Sequence, residues 1–368
     1  MISHPTSSRP GHPIGRNRFD VDFEHAPLLV IWEVTRSCAL ACLHCRAEAI
    51  DWRDPRELSL SEGKRVIEDV ARMGTPLIIF TGGDPLQRDD LEELIRHAKS
   101  VDLRVGTIPA TTDRLSRDRV ISLRDAGVDQ LALSIDGPDA ESHDHFRRVP
   151  GSFDKAMQGA AWAGELGVPL QVNTVFGSWN IDEFDAIAAL VESLGVVFWE
   201  VFFLVPTGRG ASMGCCSSEQ MEMLFEKLHN LSKRVSFRVK VTEAQHYRRY
   251  LAQHNGVSVS QPGRNGSPLK SVNAGNGFCF VDHIGNVYPS GFLPVECGNV
   301  RESSVIDIYR TSPVFQALRD ESRLKGKCGI CGFKGVCGGG SRARAYAVSG
   351  DYLNEEPFCA YEPAGILR

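Results

Sequence analysis

Cys38, Cys42 and Cys45 put three thiols into one short loop, spaced C-x3-C-x2-C. Thiolates hold iron–sulfur clusters, usually four to a [4Fe–4S] cubane. A trio set directly after an apolar run therefore predicts a cluster whose fourth iron is open to a non-protein ligand. Such an iron binds a reactant rather than only storing an electron. A tetrahedral zinc, the other use of grouped cysteines, normally takes four ligands. Near the C-terminus Cys328, Cys331 and Cys337 follow as C-x2-C-x5-C, with Cys359 beyond. Those four thiolates suffice for a closed cluster, and they satisfy a structural zinc equally well.

Eleven cysteines in 368 residues are too dilute for a disulfide scaffold, and their clustering predicts metal binding in a reducing compartment, with activity sensitive to oxygen. The start of the chain lacks the apolar core of a signal peptide, and no apolar run reaches the ~18 residues of a membrane span. A cytoplasmic protein without a membrane partner is expected. Net charge is −5, with 41 Lys and Arg interspersed among 46 Asp and Glu, so no basic stripe offers itself to nucleic acid.

The elements that must hold these thiols are legible as alternation. Apolar runs at 28–35, 77–81, 103–108, 130–135, 169–176 and 196–205 read as strands. Between them Val66, Ile67, Val70 and Met73, or Ile187, Leu190, Val191 and Leu194, recur at helical spacing. Repeated strand and helix predict an α/β fold with a parallel sheet and right-handed crossovers. Six repeats fit a partial (β/α)6 TIM-type barrel, whose chemistry lies at the C-terminal ends of its strands. The first cysteine loop follows strand one. Gly82, Gly83 and Asp84 follow strand two, where paired glycines allow close backbone approach and a carboxylate can meet an ammonium group. Ser134 and Asp136 end strand four and can bond hydroxyls, although Asp136 also suits a cap. Asn173 lies on strand five, where buried hydrogen bonding explains it equally well.

The expected organisation is a flexible extension over 1–25, a barrel over 26–235, a bridging region over 236–275 and a small cysteine-rich domain over 276–368. Within the bridge, 237–241 suggests a further strand and 246–254 a short helix. Phe278 to Leu293 reads as a hairpin turning at 283–286.

The first motif, with His44 before its third cysteine, resembles the radical S-adenosylmethionine (SAM) superfamily. The resemblance implies that the open iron chelates SAM and that a low-potential reductant, flavodoxin or ferredoxin, drives its cleavage. It implies that Gly82, Gly83 and Asp84 meet the amino group of SAM, that Ser134 and Asp136 meet its ribose, and that Asn173 and the run 205–210 meet its carboxylate and adenine. The hairpin followed by C-x2-C-x5-C and Cys359 resembles the SPASM extension, which implies an auxiliary [4Fe–4S] cluster rather than zinc. In the fuller pattern a further cysteine stands where this chain has Ser341. One auxiliary cluster is therefore expected, on Cys328, Cys331, Cys337 and Cys359, with Cys279 and Cys297 as ordinary buried thiols. Cys215 and Cys216, on the loop after strand six, are candidates for hydrogen donation or substrate binding, or packing residues.

Within that group the wording around both motifs is most similar to the heme b synthase and heme d1 branch, which implies a tetrapyrrole propionate as substrate. Arg147, Arg148, Arg209, Arg342 and Arg344 are candidate carboxylate partners. The alternatives are a maturase acting on a ribosomally made peptide, and, from another class, a non-catalytic iron–sulfur electron carrier.

Overall fold

The computed structural model describes residues 21–254 and 272–364. The first twenty residues of the expected extension, and 255–271 of the expected bridge, lie outside the described residues. Seven strands run parallel, side by side. They are β1 (Leu29–Glu33), β2 (Leu77–Thr81), β3 (Arg104–Thr107), β4 (Gln130–Ser134), β5 (Leu170–Phe176), β6 (Phe198–Phe203) and β7 (Arg238–Thr242). Helices α1 (Leu60–Met73), α2 (Leu91–Ser100), α3 (Arg117–Ala126), α4 (Ala140–Arg147) with α5 (Ser152–Leu166), α6 (Phe184–Ser193) and α7 (Ser218–Arg234) make the crossovers. The six expected strands are present, and the run at 237–241 becomes a seventh parallel strand.

Helix α1 shows how local sequence sets an element. Ser59 caps it in a reciprocal capping box with Glu62, and Gly74 ends it in the left-handed region at φ 89°, a conformation that costs glycine little. Between these stops Val66, Ile67, Val70 and Met73 are buried on one face. Gly63 lets the helix close on the sheet, because a Cβ there would lie 2.4 Å from the Trp32 ring. Along β1 and β2, Trp32, Ile78 and Phe80 are fully buried while Ile31, Leu77, Ile79 and Thr81 are half-buried. This is the period of two expected when helices cover one face and the other lines a lumen.

Beyond β7 come α8 (Tyr247–His254), β8 (Phe278–Val281), β9 (Asn286–Tyr288), β10 (Gly298–Asn299), α9 (Val305–Thr311), α10 (Pro313–Arg319), α11 (Gly326–Ile330), α12 (Lys334–Cys337) and α13 (Arg342–Ser349). The hairpin is formed by β8 and β9, but it does not stand apart. Strand β8 pairs in parallel with β1, Leu29 opposite Phe278 and Trp32 opposite Val281, so one ten-stranded sheet runs β10-β9-β8-β1 through β7. The last residues of the expected extension are also packed. Phe23 is buried, and its carbonyl accepts the Tyr309 hydroxyl at 2.8 Å. Among the described residues no helix is long and apolar enough to cross a membrane.

Candidate functional site

The loop after β1 is held by backbone bonds to carbonyls, and Leu40 N–H also donates to Cys38 Sγ at 3.3 Å. Cys38 N–H donates to the Ile50 carbonyl at 2.8 Å and Ile50 N–H to that of Arg36 at 3.2 Å, closing the loop on itself. Gly208–Gly210 wraps over it. Arg209 N–H reaches the Cys45 carbonyl at 3.1 Å, and its Nε reaches the Cys42 carbonyl at 3.0 Å. Cys38 and Cys42 are 8% and 7% exposed, and Cys45 is half-buried. Burial pushes the Cys38 thiol up to about 12, with Asp84 adding to the effect. Loading with metal therefore displaces protons.

The end of β2 is pressed against this loop. A Cβ on Gly83 would lie 2.5 Å from the Arg36 carbonyl oxygen, 2.6 Å from that of Ser37 and 2.8 Å from Cys38 Cβ. Backbone cannot rotate away as a flexible side chain can. Gly83→Ala is therefore expected to displace the cysteine loop and cut iron retention at the first site by more than half, at a stability cost of roughly 1–3 kcal/mol. Iron and sulfide analysis after anaerobic reconstitution checks this, and full iron in the variant would show that the close approach is dispensable.

Two strand-end expectations change with the geometry. The Asp84 carboxylate is fully buried and accepts from Leu86 N–H at 3.1 Å, Ala110 N–H at 3.3 Å and the Thr112 hydroxyl at 2.7 Å. Its oxygens are spent on joining β2 to the segment after β3. What this strand end offers an ammonium group is the carbonyls of Gly82 and Gly83, which accept no hydrogen bond within the described residues. Asp136, expected at a ribose, is likewise buried. It takes Val175 N–H at 2.8 Å and an ion pair with Arg147. Burial works against its charge, but Arg147 prevails and holds the carboxyl below the usual range. Arg147 in turn places Nη1 3.6 Å from Cys42 Sγ. It is thus part of the cysteine site, not a free cation for substrate.

Ser134 keeps a hydroxyl that is half-buried at the strand end and unbonded within the described residues. In register beside it, Asn173 accepts from Gln171 Nε2 at 2.6 Å, so its amide nitrogen and a second lone pair on its oxygen remain to bond a ligand.

An aromatic stack, missed in sequence reading, stands beside the loop. His44 lies on Phe146 with centroids 4.6 Å apart, and Phe146 on Trp179 at 5.1 Å. Burial, with Arg147 nearby, pushes the His44 imidazole down to about 4. Among the described residues His44 Nδ1, Arg147 Nε, Arg209 Nη2 and Trp179 Nε1 are buried without a partner. Unsatisfied buried polar groups are rare in native proteins, and the first three belong to side chains in or against the cysteine loop. The donor set fits an anionic cluster with a polar ligand at its open side.

The second thiol group closes around one cavity, lined by Cys328, Cys331, Cys337 and Cys359. Cys328 and Cys337 are buried, and burial raises Cys337 to about 12. Four thiols around one cavity are the number that a closed four-iron cluster takes. Ser341 is fully buried; its hydroxyl donates to Glu243 and accepts Arg344 N–H at 3.0 Å, capping α13. Cys279 is fully buried, as is Cys216, while Cys215 is half-buried with its thiol directed at the Leu204 carbonyl at 3.7 Å.

Arg342 and Arg344, expected as possible carboxylate partners of a substrate, are also fully buried and bound to protein carbonyls. Arg46 is the cation missed. Its guanidinium lies 3.0 Å from Glu33, over the Phe280 ring at 4.4 Å. No sequence signal marks it beyond adjacency to Cys45.

A parallel half barrel with an open three-thiol site at the end of its first strand and a four-thiol cavity behind defines a cluster-bearing radical enzyme. A model of the radical SAM superfamily matches residues 32–191. The AdoMet-dependent heme synthase of Nitratidesulfovibrio vulgaris is 41% identical over 370 residues, covering 99% of this chain and 98% of that protein. The protein of the same name from Oleidesulfovibrio alaskensis is 42% identical over 342 residues, covering 91% and 87%. Streptococcus suis SuiB bound to precursor peptide SuiA matches with a TM-score of 0.74 at 16% identity, covering 92% of this chain and 76% of that one, a likeness of fold alone. The chain belongs to the radical SAM superfamily. It is an enzyme that uses SAM and [4Fe–4S] clusters; bound SAM, reduced by one electron, supplies a 5′-deoxyadenosyl radical that abstracts hydrogen from substrate.

Proposed function

We propose that this enzyme acts on a tetrapyrrole, removing carboxyl groups from propionate side chains. The observation that carries the reading is near-full-length identity above 40% to AdoMet-dependent heme synthases. Cys38, Cys42 and Cys45 hold the first cluster, and Cys328, Cys331, Cys337 and Cys359 the auxiliary one. The Gly82 and Gly83 carbonyls accept from the amino group of SAM, the Ser134 hydroxyl and Asn173 amide bond its polar groups, and the His44 stack shields the site from water. Asp84 and Asp136 position these groups through the backbone and through Arg147.

Arg46, over Phe280 at 4.4 Å and Phe292 at 5.9 Å, is paired with the buried Glu33 and, like Arg147, belongs to the protein's own packing. Arg148, exposed at the end of α4, and Arg209, whose Nη2 is buried without a partner among the described residues, are the cations left for a substrate carboxylate. The organisation is a barrel over 26–235 that β7 extends, a bridge over the rest of 236–275 and an auxiliary-cluster domain over 276–368, in a cytoplasmic protein reduced by a flavodoxin or ferredoxin.

The test is anaerobic turnover with SAM, dithionite and iron-coproporphyrin III, followed by mass spectrometry. The expected product has lost carbon dioxide and two hydrogens per propionate reacted. SAM cleavage that the porphyrin neither stimulates nor couples to such a product would turn the search toward peptides.

A further inference from the structure

The four-thiol cavity is closed on its barrel side by a segment that carries no cysteine. After β7 the backbone takes a left-handed step at Glu243, φ 57°, and turns His246 and, one helical turn on, Arg249 into the same cavity as Cys328, Cys331, Cys337 and Cys359. His246 is 1% exposed, and among the described residues neither of its ring nitrogens has a hydrogen-bond partner. Glu356 Oε2 stands 3.9 Å from Nδ1, beyond hydrogen-bond reach. The Phe225 ring meets the imidazole edge-on at 5.0 Å and fixes its plane without offering a strong acceptor. Arg249 shares the pattern. Its terminal nitrogens are held by Glu222 and by Gln253 at 2.9 Å, while its Nε is buried and unpartnered.

A neutral imidazole always carries one N–H, and native proteins rarely bury such a donor without an acceptor. The cavity it faces is lined by four cysteine side chains, and the Glu356 carboxylate that shares it stands beyond bonding distance.

We infer that His246, with Arg249 beside it, donates a hydrogen bond to a sulfur of the auxiliary cluster and so sets that cluster's reduction potential from the barrel side. The inference rests on the reading that Cys328, Cys331, Cys337 and Cys359 hold an iron–sulfur group. Hydrogen bonds to cluster sulfur stabilise the more negative, reduced form and raise the potential. Because His246 is placed by the turn that joins β7 to α8, the potential of a cluster held by the C-terminal region depends on a residue anchored in the barrel.

The experiment uses the full chain, reconstituted anaerobically, as wild type, His246→Leu and His246→Gln. Iron and sulfide are counted, and both clusters are titrated electrochemically with EPR detection. The expected result is an auxiliary potential displaced to more negative values in His246→Leu, partly restored by the amide N–H in His246→Gln, with the first cluster unmoved in both. A full complement of iron with an unmoved auxiliary potential in His246→Leu would overturn the inference.

The wild type supplies a second reading that does not depend on the leucine variant assembling its cluster. Pulsed EPR of the reduced auxiliary cluster in histidine-labelled protein should show a coupled imidazole nitrogen and a deuterium-exchangeable proton, and their absence overturns the inference as well. Failure of the underlying reading looks different: alanine at all four cysteines would then leave the iron count of the wild type unchanged.

Discussion

Alanine at Cys38, Cys42 and Cys45 together reduces 5′-deoxyadenosine formation from SAM to the level of a reaction without protein, and removes about half of the bound iron, as expected when one of two [4Fe–4S] groups is lost. The loop itself should survive the change. It is held by the exchange between Cys38 N–H, Ile50 and Arg36 and by the Arg209 clamp, none of which involves a thiol. The auxiliary site should keep its iron and its absorbance, because its four cysteines come from α11, α12 and the C-terminal segment. Chromatographic assay under dithionite, with iron and sulfide analysis on the same sample, reads both effects. Unchanged iron in the triple variant would mean that the first site does not hold a cluster.

The largest effect on stability is expected at Arg344. This side chain, on α13, is fully buried and grips the end of β6. It donates to the Leu204 carbonyl at 3.1 Å, to Phe203 at 3.3 Å and to Glu243 at 2.5 Å, and pairs with the equally buried Glu356 at 3.2 Å. Burial opposes the Glu356 charge, but Arg344 overcomes it and holds the carboxyl below the ordinary glutamate range.

Arg344→Met leaves that carboxylate without its cation and takes a donor away from three carbonyls. Breaking one side of a buried pair costs roughly 3–5 kcal/mol, which lowers the melting midpoint on the order of 5–10 °C. Replacing both partners, Arg344→Met with Glu356→Leu, should recover much of the loss, because the uncompensated charge is gone. Thermal unfolding of the reconstituted single and double variants decides this. Equal midpoints for the two would show that the ion pair is not what ties α13 to the barrel.

The cysteine motifs were legible because ligation is local. Three thiols must share one loop and three of the other four one short segment, so the spacing survives as a pattern in the chain. Strand and helix alternation was legible for the same reason, since burial on one face of a helix or strand imposes its period on neighbouring residues. The acidic strand ends were legible only in position. Asp84 and Asp136 stand where a ligand-binding carboxylate would, but Thr112 in one case and Arg147 in the other occupy them, and both partners come from other segments.

Arginine was the least readable residue type. Arg147, Arg342 and Arg344 are alike in sequence to any surface cation, and only the buried carboxylates and carbonyls around them show that they hold the protein together. Arg46 was overlooked because its place over Phe280 requires β8 to lie against β1.

By itself the sequence determined the number and spacing of the grouped thiols, the order of strands and helices, and the strand end after which the first group stands. Tertiary structure decided which polar groups remain free. A charge's availability depends on what packs against it, and the packing partners of Arg147, Arg344, Asp136 and His246 come from segments well separated along the chain. It also decided that the hairpin joins the barrel's first strand, because a strand edge is satisfied by whichever backbone reaches it, and local sequence does not encode that partner.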